Sequence, residues 1–189
     1  MQPGAPTADE ARTLTLEAFA DTIVPGEKRF PGDRAIAGVS TGGGAVACGA
    51  LTLLADPASG FGSTLETLAD ALGAHATAYA AEFGLQIEES VPPFVSLSFE
   101  HRTTLVQRLL ALDHPERELW VGIALFSNMA FDSAAHISTH DAFADGHPGL
   151  LAIGYFRPEP DGVWRFPEYS YGRPLSSLHP LTTSTGSPA

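Results

Sequence analysis

Apolar residues recur with a helical period along most of this chain, and turn residues punctuate them. The first periodic stretch predicts a helix over about 16–23, with Thr15 at the N-cap and Leu14 and Phe19 at the spacing of a hydrophobic staple. Pro25 and Gly26 stop it. A long Gly- and Pro-containing connection leads to 45–54, which is apolar nearly all round and reads as a short buried helix. The clearest helix spans 64–83. Leu65, Leu68, Leu72, Tyr79 and Phe83 form its stripe, Ser63 and Glu66 have capping-box spacing, and Gly84 stands at the C′ position. After the break at Pro92-Pro93, Ser98 opens a helix to about Leu112, with Leu105, Leu109 and Leu112 inward and Arg102 and Arg108 outward.

Pro115, Glu116 and Glu118 suit the first turn of the next helix. Its run from Leu119 to Phe131 is apolar on every face, so it reads as the central helix, with Trp120 and Phe126 in the core. From Thr139 the helical period fades, and 146–181 reads as an ordered but irregular wrap rich in aromatics and proline. These elements predict a mainly α fold. Residues 1–13 form a flexible arm, 14–181 a single domain of about five or six helices with the C-terminal wrap, and 182–189 a disordered tail. No strand–helix alternation suggests a dinucleotide-binding sheet, so the chain itself is expected to hold no flavin.

Composition agrees with a packed domain. The chain has 189 residues, 44% hydrophobic and only 17% charged. No apolar run reaches the roughly 18–20 residues of a membrane span. A net charge of −12 repels phosphate backbones and argues against nucleic-acid binding; its simplest use is solubility, though it also suits a basic protein partner. The lone cysteine, Cys48, lies among alanines and glycines and reads as a buried structural thiol. The polar N-terminus shows neither an apolar leader core nor a twin-arginine pair, which points to the cytoplasm.

Three features could carry chemistry. Gly38-Val39-Ser40-Thr41-Gly42 matches the G-x-S-x-G nucleophile elbow, in which glycines let a tight turn expose the serine of a hydrolase. That motif needs a strand before it, and Arg34 to Gly38 is a poor one; a closely packed glycine loop explains it more simply. His136 and His140 have the i, i+4 spacing that sets two imidazoles on one helix face, with Asp132 a turn earlier and His147 further on, so a stand-alone metal enzyme is the alternative reading. Asp132 and His140 would lie about 12 Å apart along a helix, so a single ion would need His147 or another residue folded back. The third feature is the tail. Tyr155, Trp164, Tyr169 and Tyr171 alternate with Arg157, Arg165 and Arg173. Such rings cover the chain's own core or anchor a partner, and composition leaves both open.

Three segments, taken in order, resemble the family called gluconate 2-dehydrogenase subunit 3. They are Leu14-Thr15 with Phe19-Ala20-Asp21-Thr22-Ile23-Val24-Pro25, then Phe94-Val95-Ser96-Leu97-Ser98-Phe99-Glu100-His101-Arg102, and Gly149-Leu150-Leu151-Ala152-Ile153-Gly154-Tyr155 followed by Pro160-Asp161-Gly162. The resemblance spans about 14–174. It implies a helical accessory subunit that stabilises, or completes the active site of, a large FAD-dependent oxidoreductase of the glucose–methanol–choline class acting on an alcohol or sugar. The FAD and the catalytic histidine then belong to the partner, and no catalytic or cofactor-binding residue is singled out in this chain. The twin-arginine signal of many members is not visible, and Asp141-Ala142-Phe143-Ala144-Asp145-Gly146-His147-Pro148 stands in place of their P-x-Y-G-G-N stretch. Both departures favour a cytosolic relative over an exported sugar dehydrogenase.

Overall fold

The computed structural model describes residues 6–155, and they are all-helical, with four substantial helices and four short ones. The first helix, α1 (Ala8–Ile23), begins well before the predicted Leu16 and takes in residues 8–13 of the predicted arm. Thr7 is its cap. Its hydroxyl accepts from the Glu10 N–H at 3.3 Å, and the Glu10 carboxylate accepts from the Thr7 N–H at 2.8 Å. The early turns are polar because they face solvent, so the apolar period starts late. Arg12 reaches from them to Glu66 at 2.8 Å and Asp70 at 2.9 Å. Thr15, expected as the cap, lies mid-helix and donates back to the Ala11 carbonyl.

The rest of α1 is buried continuously from Thr15 to Asp21. This helix, not the apolar run at 119–131, is the centre of the domain. It packs against α2 (Ala50–Ala55), α3 (Leu65–Phe83), α4 (Pro93–Ser96), α5 (Phe99–Leu109) and α6 (Arg117–Ser133). Phe19 is fully buried with its ring 6.1 Å from that of Trp120. In α6 only a stripe is buried: Trp120, Ile123, Ser127 and Ala130. Leu119 and Leu125 are exposed, and Phe126 is half-buried, edge-on to Phe61 at 5.6 Å.

The second helix starts at Ala50 rather than Ala45, because Gly49 takes the left-handed backbone (φ 86°) and ends the turns before it. The expected Ser63–Glu66 box does not form at α3. Thr64 is the cap position, its hydroxyl donates to the Phe61 carbonyl, and Glu66 is spent on Arg12. Gly84 does close α3 in the left-handed conformation (φ 64°). Ser98 caps α5 as expected, accepting from the His101 N–H. Leu105 and Leu109 face inward, whereas Leu112 falls beyond the helix and is 89% exposed. Arg102, expected outside, is 4% exposed.

Beyond α6 the predicted loss of helical order is also corrected. Ala134 (φ 49°) ends α6, and two short helices follow, α7 (Thr139–Ala144) capped by Ser138 and α8 (Pro148–Ala152) capped by His147. Helix α8 packs on α6, with Gly149 so close to the Phe131 carbonyl that no side chain fits there. The predicted wrap after Tyr155 and the tail at 182–189 lie outside the described residues. No described helix is long and apolar enough to cross a membrane.

Candidate functional site

The predicted histidine set does not assemble as one donor group. The chain between Ala134 and Ser138 is not helical, so His136 and His140 lose their shared face; His140 sits exposed on α7. His136 and His147 do approach, with ring centroids 6.1 Å apart. His147 is fully occupied, however. Its Nδ1 accepts from the Leu150 N–H at 3.3 Å and its Nε2 donates to the Cys48 carbonyl at 3.2 Å. His136 packs on Gly49, and its Nδ1 is buried without a hydrogen-bond partner among the described residues. Burial, then the neighbouring His147, hold its pKa below the ordinary value. Asp132 is exposed and accepts from the Asn128 amide. Cys48 is buried as expected, and burial pushes its thiol pKa up.

The Ser40 loop lacks the elbow's framework. No strand precedes it among the described residues, and the Ser40 hydroxyl points to the carbonyl of its neighbour Thr41 at 3.4 Å. The glycines here serve close packing. Gly26 and Gly44 cross backbone to backbone, where Ala45 donates to the Val24 carbonyl and Glu27 to that of Gly42; a side-chain carbon on Gly26 would stand 2.9 Å from the Gly44 Cα.

A buried set of charges holds that same loop. Asp21 is 1% exposed and accepts from the N–H groups of Gly26 at 3.0 Å and Ala37 at 2.8 Å. Burial raises its pKa against the opposing pull of these bonds and of Arg102. Among the described residues Arg102 makes no carboxylate pair. It donates to four carbonyls, those of Leu97, Ala35, Arg34 and Val95, at 2.6–3.1 Å. Burial lowers its pKa to about 10, so it stays charged at neutral pH. Arg29 forks onto Glu17 and also binds Asp33. For Asp33, burial works upward, but the Arg29 bond and the Ile36 N–H outweigh it and leave the pKa low.

A donor cluster that the sequence reading missed lies between α3 and the turn before α6. His75, His114 and Glu116 each offer a ligand atom, all within 4.8 Å of one another, and all three side chains are half-buried. His75 Nε2 lies 2.8 Å from Glu116 Oε2, the two imidazoles meet edge to face at 5.6 Å, and the Trp120 indole N–H donates to the same carboxylate oxygen at 3.1 Å. The His75 bond draws the Glu116 pKa down against the opposing effect of burial, and the Trp120 bond and the charge of both histidines add to it. Only the local pair His114-x-Glu116 was visible in sequence, and nothing there pointed to a residue on another helix.

Of the predicted partner residues, Tyr155 is described. It is 41% exposed and stacks on Phe143 at 5.5 Å, and Leu151 and Ile153 just before it are 61% and 48% exposed. Arg157, Trp164, Arg165, Tyr169, Tyr171 and Arg173 lie outside the described residues.

From residue 10 to residue 189 the chain matches the family model described as "Family of unknown function (DUF5987)". The chain belongs to this family. No curated protein and no solved structure matches it. The match includes the helical domain and the aromatic segment after it, so the family is defined on both.

Proposed function

We propose that this chain is the small accessory subunit of an FAD-dependent oxidoreductase of the glucose–methanol–choline class that acts on an alcohol or sugar in the cytoplasm. The observation that carries the reading is the ordered resemblance of three segments to gluconate 2-dehydrogenase subunit 3. The placement of two of them is consistent with it: Asp21 in the first and Arg102 in the second are buried and hold one loop together. On this reading their use is to shape a scaffold, and the redox chemistry resides in the partner.

The docking surface is assigned to the segment after Thr139, through Tyr155 with the exposed Leu151 and Ile153, and through Trp164, Tyr169, Tyr171, Arg157, Arg165 and Arg173. Purification of the untagged native complex tests this. A yellow, flavin-containing large chain should accompany the protein, while the isolated small chain stays colourless. Trp164→Ala and Tyr171→Ala should leave the chain folded and abolish co-purification. A native preparation without a flavoprotein, or variants that lower the melting temperature and keep the complex, would overturn the reading.

A further inference from the structure

We propose that His75, His114 and Glu116 form a zinc site with three protein ligands and a remaining coordination position for water. Two imidazoles and a carboxylate suit zinc, and a fourth position left to solvent is the arrangement found where such sites are open. The donor atoms lie within 4.8 Å of one another. Bonds of about 2.0–2.2 Å to a tetrahedral ion place donors about 3.4 Å apart, so small side-chain rotations suffice. The His75–Glu116 contact of 2.8 Å has to open by about 0.6 Å, and Nε2 to give up its proton, to admit the ion between the two atoms.

The surroundings supply what a metal carboxylate needs. The Trp120 indole N–H donates to Glu116 and fixes its orientation from outside the donor set. His114 Nδ1 accepts from the Glu116 N–H at 3.2 Å, so the ring nitrogen turned toward Glu116 carries no proton, and ligation through it exchanges that hydrogen bond for the metal. The cation would stand at the positive end of α6, and the Glu116 charge offsets that unfavourable field. His75 rides on the middle of α3, a rigid support, and with two residues of the turn before α6 the ion would tie these elements together. The competing arrangement is a plain hydrogen-bonded latch between the same residues. All three ligands come from this chain, so the site is independent of any oxidoreductase partner.

The full chain, stripped with a chelator, is titrated with Co²⁺ as a spectroscopic probe. One equivalent should produce the visible absorption of a tetrahedral nitrogen–oxygen site, and Zn²⁺ should displace it. His114→Ala and Glu116→Gln should each weaken binding by more than about tenfold, while His140→Ala, on the exposed face of α7, leaves it unchanged. In the unmutated chain the Trp120 indole N–H resonance should shift when zinc is added, a readout that requires no variant. Absence of a one-equivalent cobalt spectrum, binding undiminished in both variants, loss of binding in His140→Ala, or an unmoved Trp120 resonance would each overturn the site.

Discussion

Arg102 and Asp21 carry opposite charges in the same buried region, yet each bonds backbone rather than the other. The guanidinium donates to the Ala35 carbonyl at 2.7 Å, and the carboxylate accepts from the Ala37 N–H at 2.8 Å. Together they grip one stretch of the loop from both polarities, satisfying groups that would otherwise be buried without partners.

Arg102→Met should therefore destabilise the domain by about 3–5 kcal/mol, since several buried carbonyls lose a charged donor and the aliphatic replacement restores only the packing. Urea unfolding measures it. A loss under about 1 kcal/mol would show that the loop finds other donors.

Replacing Gly49 separates two costs. Alanine there must adopt φ 86° and its methyl meets the His136 ring, 2.6 Å from Cε1. Gly49→Ala should cost about 2–4 kcal/mol, and in the background His136→Ala the cost should fall to the backbone strain of about 1–2 kcal/mol. Equal costs in both backgrounds would mean that the ring simply moves aside.

His136 predicts a pH dependence. Its folded pKa lies below the ordinary value of 6.5, so the unfolded chain binds the proton more tightly. The stability it contributes is present above the unfolded value and is lost as pH falls through the folded one. Asp33 and Glu116, also lowered, act with the same sign but in the carboxylate range further down. His136→Phe should change stability at neutral pH by no more than about 1 kcal/mol and flatten its decline between about pH 7 and 5. Parallel stability curves for the two proteins would count against the assignment.

Trp120 and Phe126 should differ although both stand in the same apolar run. Trp120→Ala should cost about 3–5 kcal/mol through a large cavity. Phe126, half-buried against Phe61, should cost about 1–3 kcal/mol on the same change. Denaturant unfolding of both variants decides, and equal losses would contradict the burial pattern.

Much of the helical order was determined locally. Gly84 ends α3 because a residue without a Cβ accepts the left-handed conformation cheaply, and Ser98 caps α5 through its own hydroxyl; both effects reach only a turn of chain. The apolar stripe of α3 likewise reports which face is buried, with Leu68, Leu72 and Tyr79 inside. The candidate chemistry was less legible. Spacing alone set His136 and His140 on one helix, but the left-handed turn at Ala134 broke it. Only the tertiary structure made α1 central, because its buried positions include Thr15, Glu17 and Asp21, whose polarity hides them from a hydrophobic pattern. It turned Arg102 inward, since four carbonyls from separated segments converge where a cation can satisfy them. It brought His75 to His114 and Glu116 for a related reason: a side-chain cluster across two elements depends on how their backbones pack, which no local spacing encodes.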